Sequence, residues 1–417
     1  MTPHALAKLQ KTLGAFLSEM TDGQGRPERR AALGSYVTGL LLDGERKSVQ
    51  PMAARLVSDP GQVDAMRQRL QDCISASEWS ELELKRRLAK KVLRELPKTE
   101  VLVIDDTGFP KKGTHSVGVA RQYSGTFGGG TANGQVATSV HLAGGLGSVM
   151  ISMRLYLPKE WTDDVQRCRK AGIPADVGFK PKWEIALGLI DEAIGFGVTP
   201  MPILADAGYG ALPRFRDELT RRGLPYVVGI SNNHLVLPPG TSLKPPKPPS
   251  GRPGRIATRW HAGETKPIQL RKLVAGLTRA QYKTVSWGEG SQGRRSSKFL
   301  PFRVRPAEKH TQGRPIGDEL WLLCEWQKCE TTPRFHFSTL PPSTSLRELV
   351  RITKLRWRVE RDYQELKSEI GLDHFEGRTW RGFHRHATLC AVAHAFLALQ
   401  RALFSPARDH VDGSPSA

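Results

Sequence analysis

The sequence predicts a mixed α/β fold: a sheet flanked by helices, entered through a helical N-terminal region and interrupted by a β-rich insertion before the last acid-bearing helix. Three observations predict it. Short apolar runs rich in β-branched residues, such as Val101-Leu102-Val103-Ile104 and Tyr226 to Ile230, alternate with segments of helical periodicity. Two of the apolar runs end in acid, at Asp105-Asp106 and at Asp206. At 417 residues the chain is too long for one ordinary domain, and a Pro- and Lys-rich stretch at 238–255 interrupts it. The expected division is 1–97 as a helical DNA-binding domain, 98–236 with 341–404 as an α/β core, 237–340 as the β-rich insertion and 405–417 as a flexible tail.

In the N-terminal region Leu6, Leu9, Leu13, Phe16 and Leu17 recur at helical spacing, and Tyr36 to Leu42 is a second apolar run. Arg46 to Leu56 reads as a short helix entered through Ser48. Its cations beside a preceding helix suit a helix-turn-helix-like DNA reader; a plain bundle with a solvated basic face fits equally. Trp79 to Leu96 is a long amphipathic helix whose Lys85-Arg86-Arg87 and Lys90-Lys91 meet either phosphate or water.

Val101 to Ile104 form a buried strand that delivers two acids to a rim, where an uncompensated carboxylate is costly. By alternation Val101, Val103 and Asp105 share one face, which favours Asp105 as the functional acid and leaves Asp106 to cap the turn. The following turn carries Lys111 and Lys112. Val136 to Leu142 and Val149 to Tyr156 are strand-like, and the Gly-rich residues around them lack the spacing and lysine of a phosphate loop, so they read as turns. Asp163-Asp164 caps the helix leading to Arg169, and Trp183 to Phe196 is helical. Met201 to Ala205 is a strand ending in Asp206, followed by small residues, a helix from Pro213 to Arg222 and the strand Tyr226 to Ile230. The 238–255 stretch is an extended linker. Beyond it Arg294 to Lys298 reads as a basic turn, and Leu320 to Trp326 and Phe335 to Ser338 as strands.

From Leu346 the chain is helical again. In a helix from Leu355 to Lys367, residues Leu355, Val359, Leu366 and Ile370 form the buried stripe and Gly371 is the C-cap. At about 100° per residue, Arg356, Glu360 and Lys367 fall within roughly 40° of one another. Asp362, Glu365 and Glu369 lie off that face and read as solvated. Taken alone, the face is equally an i,i+4 salt-bridge ladder.

Sixty-two basic against 41 acidic residues give a net charge of +21, which favours a polyanion partner, usually nucleic acid; a generally basic soluble protein or one that meets anionic membrane is the other reading. No stretch reaches the roughly 18–20 apolar residues of a membrane span. The N-terminus lacks the charged and apolar regions of a secretion signal, so the expectation is a cytoplasmic, nucleoid-associated protein. The five cysteines, at 73, 168, 324, 329 and 390, are scattered and read as reduced thiols rather than zinc ligands.

Asp105-Asp106-Thr107, Ala205-Asp206-Ala207-Gly208-Tyr209, the long insertion, and Arg356-x3-Glu360-x6-Lys367 occur in that order. As a set they resemble the DDE transposases of bacterial insertion sequences, in the branch with a Tyr-x2-Arg-x3-Glu-x6-Lys signature. The resemblance spans about residues 100–390, including Leu372 to Arg378, and Thr353 stands where the branch has tyrosine. It implies an RNase H-like core in which Asp105, Asp206 and Glu360 are the catalytic residues and hold Mg²⁺, with Mn²⁺ able to substitute. It implies that Arg356, Lys367, Lys111 and Lys112 grip DNA phosphates, and that one of Trp287, Trp321 and Trp326 stacks on a flipped base; packing is the other reading of these tryptophans. His374, His384, His386 and His394 suit DNA contact or packing better than a metal. The function implied is cutting at terminal inverted repeats and joining the 3′-OH ends to target DNA, as a homodimer on paired ends. The alternatives are a catalytically silent DNA-binding protein and a structure-selective RNase H-like nuclease.

Overall fold

The computed structural model describes residues 2–238, 240–244, 262, 264–290, 293–307, 318–327 and 330–403. Most of the expected linker, the expected tail at 405–417 and Cys329 therefore lie outside the described residues. The chain divides into two compact units, Met1–Pro200 with Trp357–Ala417, and Met201–Arg356.

The first unit opens with five helices: α1 (Pro3–Thr21), α2 (Pro27–Leu41), α3 (Val49–Leu56), α4 (Val63–Ser75) and α5 (Glu81–Glu95). Their starts follow from local chemistry. The Thr2 hydroxyl accepts from the Ala5 amide at the head of α1, and Ser80 accepts from Glu83 at the head of α5, where Glu81 and Glu83 also suit the helix dipole. Four strands follow: β1 (Thr99–Pro110), β2 (Ala120–Ser124), β3 (Gly130–Gly144) and β4 (Gly147–Leu155). β3 pairs antiparallel with each of the other three. Not every glycine here makes a turn, as the sequence suggested. Gly128 and Gly129 do turn, with positive φ, but Gly134 and Gly144 lie inside β3. A Cβ on Gly134 would come 2.6 Å from the Phe109 carbonyl oxygen, so close strand approach, not turning, requires that glycine. After the short helices α6 (Lys159–Thr162) and α7 (Val165–Lys170), α8 (Lys182–Gly195) completes this part of the unit. Asp164 caps α7 as expected, accepting from the Arg167 amide at 2.9 Å.

The second unit begins with β5 (Ile203–Ala205), α9 (Ala207–Gly210), α10 (Pro213–Arg221) and β6 (Tyr226–Ile230), with β5 and β6 parallel. Then come β7 (Leu235–Leu237), β8 (Ile268–Gln269), α11 (Leu270–Val274), β9 (Lys283–Gly290), β10 (Gly293–Pro306), β11 (Leu320–Trp326), β12 (Arg334–Ser338) and α12 (Leu346–Lys354). β6, β12, β11 and β10 form an antiparallel run, and β10 also pairs with β9 and β7. Arg294 to Lys298, expected as a basic turn, is strand: it pairs with β9. Phe299, Leu323, Leu349 and Val350 centre this unit's core, with Trp287 and Trp321 packed against them.

The predicted helix from Leu355 to Lys367 is broken at its start. α12 ends at Lys354, Leu355-Arg356 form a tight turn in which the Leu355 amide donates to Ile352, and α13 runs from Trp357 to Ser368. Arg356 thus precedes α13, and the shared helical face holds for Glu360 and Lys367 only. Gly371 does cap the end, at φ +82°. The last helix, α14 (Trp380–Leu403), is buried over most of its surface and packs on β4, α2, α4 and α5 of the first unit. No helix among the described residues is long and apolar enough to cross a membrane. In chain order the strands run from an antiparallel group centred on β3 to a parallel β-α-β pair, the mixed, helix-flanked order of an RNase H-like fold, as the sequence predicted.

Candidate active site

β1 sends its two acids to opposite faces. Asp106 stands across from Thr138 and forms an ion pair with Lys182, the first residue of α8. Asp105 stands across from Ser139, and directly opposed residues of an antiparallel pair share a face. The Ser139 hydroxyl is 2.6 Å from the Tyr363 hydroxyl of α13. Asp105 therefore lies on the side of the sheet where α13 docks, and one of its carboxylate oxygens accepts from the Asp106 amide at 2.8 Å.

α13 carries Glu360, exposed, in its first turn and is fixed by the residues around it. Asp362 Oδ2 accepts from His141 Nδ1 at 2.7 Å, and Oδ1 accepts from the Ser148 hydroxyl at 2.6 Å. Arg358 donates to the Gly145 carbonyl. This corrects the reading of Asp362 as solvated: it is 4% exposed. The physical reason lies in the spacing, since Val359, Asp362 and Leu366 stand at i, i+3 and i+7 on one buried stripe. Burial pushes the Asp362 carboxyl up, but the His141 hydrogen bond and the charge of His394 outweigh it and hold the group below its ordinary range. Glu365 is likewise half-buried, gripped by Arg361 at 2.9 Å and Arg401 at 2.6 Å with His394 at 3.4 Å. Burial would raise its pKa, yet these partners hold it well below the usual carboxylate range. Only Glu369 is exposed as the sequence suggested.

Two of the four expected phosphate-binding cations are tied to backbone. Lys367 donates to the Gly108 carbonyl at 2.8 Å, with its ammonium 5.2 Å from the centre of the Phe109 ring, and so fastens α13 to the end of β1. Lys111 donates to the Phe375 carbonyl at 2.9 Å. Burial lowers the pKa of both. Lys112 is exposed, and Arg356 occupies the turn before α13.

The histidines of the C-terminal region pack. His384 Nε2 accepts from the Leu155 amide and His386 Nδ1 lies 2.9 Å from the Tyr36 hydroxyl; burial lowers both pKa values to about 4. His374 accepts from the Lys47 amide. Trp287 packs edge-on to Phe299, Trp321 donates to the Pro341 carbonyl and Trp326 to that of Glu330, so all three tryptophans have packing partners.

In the second unit β5 delivers Asp206 to the start of α9, where one carboxylate oxygen accepts from the amides of Gly208 at 2.8 Å and Tyr209 at 3.3 Å. The glycine after Tyr209 is needed for close approach: a Cβ on Gly210 would meet the Gly229 carbonyl of β6 at 2.1 Å. Among the described residues no group of three or more His, Cys, Asp and Glu side chains is assembled to hold a metal ion. The candidate donors, Asp105 within β1, Asp206 at the head of α9 and Glu360 in the first turn of α13, are carboxylates. That donor chemistry fits Mg²⁺, which prefers hard oxygen ligands.

The comparisons place the chain in a class. The sequence profile of the DDE superfamily endonucleases matches residues 16–294, more than half of the chain, and the chain belongs to that family. The matched region contains Asp105 and Asp206 and ends before Glu360. More particularly, the chain is similar to a probable transposase for insertion sequence element IS701 from Microchaete diplosiphon, 30% identical over 201 residues. The alignment covers 48% of each chain, so the similarity spans about half the length of that relative. Among solved structures, the piggyBac transposase synaptic complex with hairpin DNA aligns over 94% of this chain and 77% of its own, at 11% identity and a TM-score of 0.38, a likeness too loose to argue from.

Proposed function

We propose that this chain is a transposase that cuts at the terminal inverted repeats of an insertion sequence and joins the 3′-OH ends to target DNA. The observation that carries the reading is the contrast between neighbours on β1. Lys182 neutralises Asp106, whereas Asp105 faces the side on which the Glu360 helix docks. Asp105, Asp206 and Glu360 are the catalytic residues and the ligands of Mg²⁺. Bound Mg²⁺ supplies activation of the attacking oxygen and stabilisation of the leaving one. Arg356, Lys367, Lys111 and Lys112 hold phosphate; the two lysines tied to carbonyls each keep further N–H donors for it. The net charge of +21 supports double-stranded DNA as the partner, bound with steep salt dependence.

In this reading residues 1–97 recognise the DNA ends, 98–236 with 341–404 perform the chemistry, and 237–340 form the insertion. The protein works as a homodimer on paired ends in the bacterial cytoplasm. The test is cleavage of a plasmid carrying the gene's flanking ends in Mg²⁺, with wild type beside Asp206→Asn. The expected result is cutting at the end boundaries by wild type, and binding without cutting by the variant. If both bind and neither cuts, the catalytic reading fails and a DNA-binding protein remains.

A further inference from the structure

Four side chains around α13 form a closed hydrogen-bonded loop. Asp362 Oδ2 meets His141 Nδ1 at 2.7 Å, His141 Nε2 meets the Ser139 hydroxyl at 2.8 Å, and Ser139 meets the Tyr363 hydroxyl at 2.6 Å. Tyr363 follows Asp362 in the chain, so the loop leaves α13 at one residue and returns at the next. Ser139 and His141 are fully buried, and Ser139 is the cross-strand neighbour of Asp105. The Tyr363 ring also stands edge-on to His141, with centroids 5.4 Å apart.

The Asp362 carboxylate accepts at one end, and the Ser139 and Tyr363 hydroxyls can each donate and accept, so every contact of the loop can be a hydrogen bond. A helix held at two successive residues by such a loop can neither roll nor slide without breaking a buried hydrogen bond.

We infer that Tyr363, Ser139, His141 and Asp362 are positioning residues that fix the Glu360 helix against the Asp105 strand, and so set the spacing of two carboxylates for a divalent cation. The inference rests on the proposed transposase reading. Groups that hold metal ligands in place typically contribute 10- to 100-fold to metal affinity or activity. Tyr363→Phe removes one hydroxyl and keeps the ring against His141; Ser139→Ala is the second variant and breaks the same loop from the strand.

The experiment uses full-length protein with its DNA ends. It measures Mn²⁺ uptake by electron paramagnetic resonance, end binding, melting temperature, and cleavage rate against Mg²⁺ concentration. Both variants are expected to melt within a few degrees of wild type and bind ends normally, while needing roughly 10-fold more Mn²⁺ and cutting correspondingly more slowly. The double variant should be no worse than either single one, because one loop is broken in each case. Unchanged Mn²⁺ uptake and unchanged cleavage in both variants overturn the inference. So does a loss of end binding and stability in step with cleavage, which marks a purely structural role. A wild type that neither takes up Mn²⁺ nor cuts removes the transposase reading, and this inference with it.

Discussion

Helices α5 and α13 look alike in the sequence, each with an apolar stripe beside a charged face, yet their charges are satisfied in different ways. On α5 most partners are acids of the same helix or Glu19 of α1, with Asp22 and Glu192 of α8 beside them. Glu83 binds Arg86 and Arg87, Lys85 binds Glu81 at 2.5 Å, and Lys91 and Arg94 both reach Glu19. The hydrogen bond from Arg86, with that from Arg87, holds Glu83 below the ordinary carboxylate range. Lys85, Arg86, Arg87 and Lys91, expected to meet phosphate or water, are paired within the protein, while Lys90 is exposed. On α13 the buried acid, Asp362, is answered by an imidazole and a hydroxyl of other elements, and His141 is 221 residues from it. A ladder spaced three or four residues apart can be read locally; a buried carboxylate cannot, because its partner comes from another strand.

The strongest way to break this contrast is Asp362→Ala. It removes the acceptor shared by buried His141 and Ser148, and a loss of about 3 kcal/mol in urea unfolding is expected. A loss under about 1 kcal/mol would falsify the view that this carboxylate anchors α13.

Acid sharpens the contrast next. His384 and His386 titrate near 4 in the fold against about 6.5 when unfolded, so the unfolded chain binds more protons between those values. Stability is therefore full above pH 6.5 and falls as the pH drops toward 4, by roughly 2 kcal/mol per histidine at pH 5. The check is denaturation at pH 7.5 and 5.0; His386→Gln should flatten the dependence. Asp362, held below its ordinary range, loses its contribution at lower pH still, as the pH falls from its unfolded value near 3.9 through its folded one.

The smallest effect belongs to α5. Glu19→Ala leaves Lys91 paired to Glu95 at 2.8 Å, so no more than about 1 kcal/mol should be lost, and less at high salt. A loss above about 2 kcal/mol in salt-dependent melting would instead put the α1–α5 ladder on a par with the α13 network.

Much of the fold was legible because burial leaves a compositional trace. Tyr226 to Ile230 is five buried residues without a charge, and the strand has those bounds. The break at Leu355-Arg356 was not legible, since neither Gly nor Pro marks it. Nor was the pairing of Arg294 to Lys298, because cations on a strand look the same as cations on a turn. At the candidate site, alternation grouped Asp105 with Val101 and Val103, and the register agrees. The neutralising Lys182 lies 76 residues beyond Asp106 and left no local sign. Asp362 did leave a sign, its spacing from Val359 and Leu366, but its charge suggested solvent.

The packing of α14 has a consequence for descent. Phe16 meets Phe396 with ring centroids 5.3 Å apart, Tyr36 meets His386, and Gly371 has no Cβ because Lys47 occupies that space. Deleting residues 1–95 would therefore strip a shared core, and cannot serve to isolate the remainder. By the same token, the first helices cannot be exchanged between lineages by recombination near residue 97, as a freestanding cassette could. Substitutions in that region must stay compatible with α14, where His386 lies 350 residues beyond its partner Tyr36.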